Sequence, residues 1–333
     1  MGQRAAIATT LRNAEPVLES FIVYHLSVGF EHLFLFFDDP SDPAVRIAER
    51  FEKVTCVVND NALRRRWEAT PLFAEERIVR SIDTEVMARQ MLNAQVAVEM
   101  AQQRGVDWLL HIDVDELFYS FSGAVPEHFQ QLADRGVACV SYPNHEAVPE
   151  RVDVNDFFRE VTLFKRNPTT RNEPGFTPRQ QLLLRSVPQI PRKFFLFYGN
   201  GKSAARVSKD LRVVSVHDFQ VPDERTRVKV HKNPVILHYP VCGFGHFWDK
   251  YTTLGRFDDH WFGTFDINAA IGSFHTDSRD IVTSGDREAA RRFYEERVVI
   301  GDCATARELV DSGLCLRISE PADLLAGRAR GPA

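Results

Sequence analysis

Cysteine is scarce in this chain, and what there is lies scattered. The five residues, Cys56, Cys139, Cys242, Cys303 and Cys315, are odd in number and form no Cys-x-x-Cys pair. That argues against a disulfide framework and against a cysteine zinc site, and a reducing compartment is the simplest setting. No run approaches the roughly 20 apolar residues of a membrane span. The opening, Met1-Gly2-Gln3-Arg4-Ala5-Ala6, lacks the apolar core of a secretion signal. A cytoplasmic location is the expectation, with a Golgi-lumenal or membrane-associated one as the alternative if an upstream anchor belongs to a longer native chain. Excess positive charge is lacking too. The net charge of −5 provides no global field toward nucleic acid or anionic lipid, and Arg64-Arg65-Arg66 reads as an exposed turn. No Gly-x-x-x-x-Gly-Lys-[Ser/Thr] occurs, which argues against a P-loop nucleotidase. Internal repeats, low-complexity tracts and separate linkers are all missing.

What is present is an ordinary globular composition: 333 residues, 44% hydrophobic and 26% charged. Phenylalanine dominates the aromatics, 25 against 7 tyrosines and 4 tryptophans, enough for a thick core with some left to line a sugar or apolar site. Residues 5–10 read as a buried strand. A helix follows with Asn13 as its N-cap and Val17, Leu18, Phe21, Ile22 and His25 at helical spacing. Residues 33–37 form a second strand, 44–51 a short helix and 54–58 a third strand. A long helix spans 83–104, closed by Gly105. A strand from Trp108 and another over 137–142 complete the first half. Such alternation predicts an α/β fold with a mostly parallel central sheet flanked by helices.

Residues 144–200 are less regular and rich in proline. They read as an insertion carrying acceptor specificity, with β structure at 160–164 and 194–197. Apolar runs at 213–217 and 235–239 each end near a histidine, His217 and His238. Helices are expected at 244–254 and 287–298. The whole is expected to be one domain over 1–326, comprising a nucleotide-binding half (1–143), the insertion (144–200) and a completing half (201–326). A frayed tail, 327–333, follows.

The chemistry concentrates in Trp108-Leu109-Leu110-His111-Ile112-Asp113-Val114-Asp115-Glu116. An apolar strand ends abruptly in three carboxylates, whose repulsion costs free energy unless a cation or a raised pKa relieves it. Residues two apart on a strand point the same way, so Asp113 and Asp115 face one point. Two hard oxygen ligands suit Mg²⁺ or Mn²⁺. The ordinary alternative is a solvated acidic turn. Ligands of open α/β sheets sit beyond the carboxyl ends of the strands. The polar ends at Thr9 to Asn13, Asp38 to Asp42 and Asp113 to Glu116 should therefore converge on one edge.

Three stretches resemble the GT-A glycosyltransferases, most closely the family 92 and family 2-like group. They are Asn13-Ala14-Glu15-Pro16 with Tyr24-His25-Leu26-Ser27-Val28-Gly29-Phe30-Glu31-His32; Trp108 through Phe118; and Lys202-Ser203 through His217 to His238-Tyr239, with Phe247 and Lys250 beyond. The chain departs from that pattern at Phe37-Asp38-Asp39-Pro40-Ser41-Asp42, at Phe21 in place of the common Trp, and over 144–200. The resemblance implies inverting transfer from a nucleotide-diphosphate sugar, a UDP-sugar above others, to a glycan or other hydroxyl, assisted by Mn²⁺ or Mg²⁺. Metal ligands would be Asp115, Asp113 and His238, with Glu116 as a structural partner. Nucleotide-sugar contacts would come from Thr9, Arg12, Asn13, Asp38, Asp39, Gln90 and Asp113, with Lys202, Arg206 and Lys250 supplying positive charge. Asn93 joins Gln90 on the same helix. The base for inversion would be one of Asp153, Asp156, Glu146 and Asp249. Two other readings compete: a glycan-binding protein without turnover, and a haloacid-dehalogenase-like phosphatase. The latter's second Asp is normally followed by Thr near the chain start, unlike Glu116-Leu117 here.

Overall fold

The computed structural model describes residues 2–121, 124–170, 175–191 and 193–327. The chain separates into two compact units, one built chiefly from Met1–Pro143 and Asn200–Ile236, the other from Asn144–Gly199 and Leu237–Ala329. The stretch read as an insertion is thus one half of a unit, and its other half comes from the C-terminal third. Apart from Gly327, the expected frayed tail lies outside the described residues.

The first unit is built on seven strands. They are β1 (Ala5–Leu11), β2 (His32–Phe37), β3 (Val54–Val58), β4 (Trp108–His111), β5 (Cys139–Tyr142), β6 (Lys202–Arg206) and β7 (Arg227–Lys229). Their order across the sheet is β7-β5-β6-β4-β1-β2-β3. β1 pairs in parallel with β2 and β4, β2 with β3, and β5 with β7. β6 alone runs the other way, between β4 and β5. This is the expected mixed α/β fold with a mostly parallel central sheet. The cause lies in the strands themselves. β1 and β2 are buried at every position, as a strand covered on both faces must be, and their largely apolar sequences meet that need, with the Thr9 and Thr10 hydroxyls hydrogen-bonded near the end of β1.

Two helices matter for the site. Helix α1 (Glu15–Ser27) buries Val17, Leu18, Phe21, Ile22, Tyr24 and His25. Asn13 does not cap it. The preceding residue is Ala14, which makes no side-chain cap, and Asn13 has φ 55°. Helix α2 (Val86–Gln103) ends as the sequence suggests: Gly105 has φ 65°. Its N–H reaches Gln102 O at 3.0 Å, and Val106 N–H reaches Ala101 O at 2.9 Å. That closure turns the chain directly into β4. Parallel pairing then sets Ala8 opposite His111 and Leu11 opposite Phe37. The carboxyl ends of β1, β2 and β4 therefore share one edge.

In the second unit, strands Asn144–Ala147, Leu163–Lys165 and Cys315–Arg317 pair antiparallel. Helices Phe244–Leu254, Phe274–Thr283 and Arg287–Arg297 bury Phe247, Tyr251, Phe274 and Tyr294 in a common cluster. The strand expected at 194–197 does not form. Phe194 has φ 71°, and the N–H groups of Leu196 and Phe197 donate to the Glu146 carboxylate at 2.9 and 3.0 Å. A side chain has taken the amides a ladder would need. Residues 157–160 are likewise helical, started by Asp156, whose carboxylate accepts from Phe158 N–H at 3.1 Å. Among the described residues no helix is long and apolar enough to cross a membrane.

Candidate active site

Helix α2 clamps three strand ends. Arg89 donates to Asp38 just past β2, Nε to Oδ1 at 2.5 Å and Nη2 to Oδ2 at 2.8 Å. Gln90 Nε2 donates to Asp113 Oδ1 at 2.6 Å. Asn93 Nδ2 donates to Thr10 Oγ1 at 3.0 Å, and Asn93 Oδ1 accepts from Trp67 Nε1 at 2.8 Å. Arg89 and Asn93 lie four apart and so share a helix face. Thr9 on β1 donates its hydroxyl to the Ile112 carbonyl, stitching β1 to the residue before Asp113.

The carboxylate turn follows. Lys202 opens β6, and because β6 is antiparallel its amino end lies beside the carboxyl end of β4. Its side chain is fully buried and its Nζ stands 2.6 Å from Asp113 Oδ2, 3.6 Å from Glu116 Oε2 and 3.3 Å from Val216 O. Glu116 Oε2 also accepts the Asp113 backbone N–H at 2.7 Å. Burial alone would raise the Asp113 carboxyl. The Lys202 ammonium, helped by His111 and His217, outweighs burial and holds the carboxyl well below the usual range. Burial pulls Lys202 down, and Asp113 and Glu116 more than restore it. His111 is pushed to about 3, by burial first and then by Lys202. It is therefore neutral, with its Nε2 buried and lacking a hydrogen-bond partner among the described residues. His217 donates through Nδ1 to Gly201 O at 2.9 Å.

Arg206 does not belong to this edge. It pairs with Trp108 at the start of β4 and is exposed. Four residues of strand carry it roughly 13 Å from Lys202. Asp38 is also changed in role: both its oxygens are taken by Arg89, and 6% of its side chain is exposed. Asp39 remains the accessible carboxylate there. Its Oδ1 accepts from Ser41 Oγ at 2.6 Å and Ser41 N–H at 2.9 Å, which hold it below the ordinary value, and Arg12 stands 3.6 Å away. Asn13 enters through its backbone, donating to Asp42 Oδ2 at 2.7 Å.

The remaining candidates lie in the second unit. His238 is buried, its ring stacked on Tyr198 with centroids 4.6 Å apart. Lys250 Nζ donates to Pro240 O at 2.8 Å and sits 5.1 Å above the Phe197 ring. Glu146 is paired with buried Lys165 at 2.9 Å in addition to its two amides, the bonding of a structural carboxylate rather than of a base. Asp153 is exposed and paired with Arg291 at 2.8 Å. Asp156 caps its helix. Asp249 is exposed on Phe244–Leu254.

Among the described residues no group of three or more His, Cys, Asp or Glu could hold a metal ion. Asp113 and Glu116 already face an ammonium. Such a donor set does not make an all-protein cage. Asp115 lies in the same turn with 8% of its surface exposed, and a hard cation such as Mg²⁺ usually draws most of its shell from phosphate oxygens and water.

No family model matches the chain. A glycosyltransferase-like protein of Arabidopsis thaliana is 28% identical over 316 residues, covering 90% of this chain and 67% of the relative. A second from the same plant is 25% identical over 311 residues, covering 90% of this chain and 59% of the relative. The relatives support the glycosyltransferase superfamily. The chain spans only about two thirds of one and less of the other. Solved structures with some likeness include core-mannan synthase A of Aspergillus fumigatus in its Mn/GDP form, with TM-score 0.29, 11% identity and coverage of 62% of this chain and 60% of that one. Another is glucosyl-3-phosphoglycerate synthase of Mycobacterium tuberculosis with Mn²⁺, UDP and glucosyl-3-phosphoglycerate, with TM-score 0.27, 13% identity and coverage of 62% and 57%. At those scores the likeness says nothing about the chemistry of this chain.

Sequence reasoning missed Arg89, and it placed Asp42 at the edge without giving it a role. Arg89 had a readable signal, one residue before Gln90 and four before Asn93 on the same helix. Asp42 is 5% exposed and ties two strand-end loops together, its Oδ1 accepting from Ala44 N–H at 2.9 Å. Its short Asp-Pro spacing looks like any turn.

Proposed function

We propose that this chain is a metal-dependent glycosyltransferase of GT-A type, in the family 92 and family 2-like group. It would move a sugar from a nucleoside-diphosphate donor, UDP-sugars above others, to a glycan or other hydroxyl with inversion. The observation that carries the reading is the shared edge. The ends of β1, β2 and β4 meet there, and the 113–116 carboxylate turn is braced by Gln90 and Lys202. The two plant relatives support it.

On this reading Asp115 holds Mn²⁺ or Mg²⁺, which when bound neutralises the diphosphate leaving group. The chain's own side chains do the rest. Gln90 and Lys202 hold Asp113 ionised and fixed, and 23% of its side chain stays exposed to accept from a ligand hydroxyl. Arg12, exposed past β1, and half-buried Asp39, past β2, are suited to the nucleoside. The buried network is already formed without the ligand, which is the sense in which such a site is preorganised.

The test is a panel of UDP- and GDP-sugars assayed for Mn²⁺-dependent nucleotide release, with Asp115→Asn as the control. Release from at least one donor by the wild type, abolished in the variant, is expected. Binding of nucleotide sugar with metal and no release, with any acceptor offered, would favour a glycan- or nucleotide-sugar-binding protein instead.

A further inference from the structure

We infer that Lys202 is a built-in cation of the carboxylate turn. It is a positioning residue that takes, beside Asp113 and Glu116, the place a second metal contact would need, so that a divalent ion is held weakly by the protein alone and firmly only with a diphosphate. The part concerning diphosphate rests on the glycosyltransferase reading. The part concerning the turn does not.

An ammonium with no exposed side-chain surface loses several kcal/mol of hydration unless partners replace it. The partners of Lys202 include Asp113 at 2.6 Å, Glu116 at 3.6 Å and the Val216 carbonyl at 3.3 Å. The compensation runs both ways. Three carboxylates within four residues repel one another, and Lys202 cancels one of the three charges from inside. Glu116 then accepts the Asp113 N–H at 2.7 Å and Gln90 donates to Asp113 Oδ1 at 2.6 Å. The turn is thereby locked in its working shape without any ion. A second cation on Asp113 would stand against the ammonium already there, so an incoming ion is directed to Asp115. One carboxylate is a weak ligand set, and phosphate oxygens must complete it.

This arrangement makes a gain-of-binding prediction. Lys202→Met keeps most of the stem, removes the charge and leaves room where Nζ stood. In metal-free buffer the variant is destabilised by its uncompensated carboxylates. With about 1 mM Mn²⁺ and no nucleotide, its Tm rises by roughly 3 °C or more, while the wild type moves by less than about 1 °C. In the double variant Lys202→Met/Asp113→Asn the Mn²⁺ effect disappears. The inference is overturned if Mn²⁺ alone fails to stabilise Lys202→Met, if it stabilises the wild type as strongly, or if the double variant keeps the shift. Should Lys202→Met not fold in metal-free buffer, refolding from urea with Mn²⁺ but not with EDTA supports the inference, and failure to refold with Mn²⁺ overturns it. Because no nucleotide is present, these outcomes stand apart from the glycosyltransferase reading, which fails separately if the wild type neither binds nor cleaves any nucleotide sugar.

Discussion

Arg89 holds Asp38 in a two-point grip, Nε to Oδ1 and Nη2 to Oδ2, with 13% and 6% of the two side chains exposed. The pair fixes the end of β2 to the helix that also braces Asp113. Removing one partner leaves a buried, unpaired charge. Arg89→Met should therefore lower stability by about 3 kcal/mol in urea unfolding. Arg89→Lys should not restore it, because a single ammonium cannot make two parallel bonds. Arg89→Met/Asp38→Leu should recover most of the loss. A single variant no less stable than the wild type would mean the grip is weak in solution.

Gly201 precedes the buried lysine and has φ 74°. A Cβ there would stand 1.8 Å from the Tyr142 carbonyl oxygen, which is backbone and cannot swing aside. Gly201→Ala should cost roughly 3 kcal/mol or more. Gly285 provides the comparison, with φ 82° and nothing within 4 Å of its added carbon. Gly285→Ala meets only the backbone strain and should cost about 1 kcal/mol. Equal losses in chemical denaturation would show that the close approach to Tyr142 is absent in solution.

Much of the edge was legible before folding. The strands 33–37 and 54–58 read correctly because short runs of apolar and β-branched residues between turn residues have few other uses. Helix α2 read correctly because its apolar spacing ends at a glycine. What failed depended on partners distant in sequence. Lys202 and Arg206 looked equivalent as sources of positive charge, and only the antiparallel direction of β6 separates them. Phe194–Phe197 looked like a strand until Glu146, some fifty residues earlier, took its amides. Asp113 looked like an unpaired carboxylate because nothing in its own neighbourhood in sequence reveals an ammonium 89 residues later. The proline-rich stretch 144–200 looked irregular because the helices completing its core come from the last third of the chain.

Acid should destabilise the protein early. His25 is buried and held to about 3, by loss of hydration first, and His111 and His275 are held to about 3 for the same leading reason. Each is neutral in the folded state and takes a proton in the unfolded chain below about pH 6.5. Their contribution is therefore full well above pH 6.5, begins to fall near that pH and is lost as pH drops toward 3. At pH 5 each such histidine costs about 2 kcal/mol. Asp39 and Asp113, held low, lose their contribution only below about pH 4, so they do not act in the same window. Urea unfolding at pH 8, 6.5 and 5 should show a modest fall of about 1 kcal/mol between the first two and a much steeper one to the third. A flat response down to pH 5 would contradict the buried neutral state.

The central claim is that Asp115 joins a divalent ion to a nucleoside diphosphate at the carboxyl edge of the sheet. Isothermal calorimetry of UDP binding, with and without Mn²⁺, on the wild type and on Asp115→Asn tests it most directly. The account predicts that Mn²⁺ tightens UDP binding to the wild type at least roughly tenfold, a change of about 1.4 kcal/mol, and leaves the variant unaffected. Equal affinity for UDP with and without the ion in the wild type, or a full Mn²⁺ effect surviving in Asp115→Asn, would contradict it.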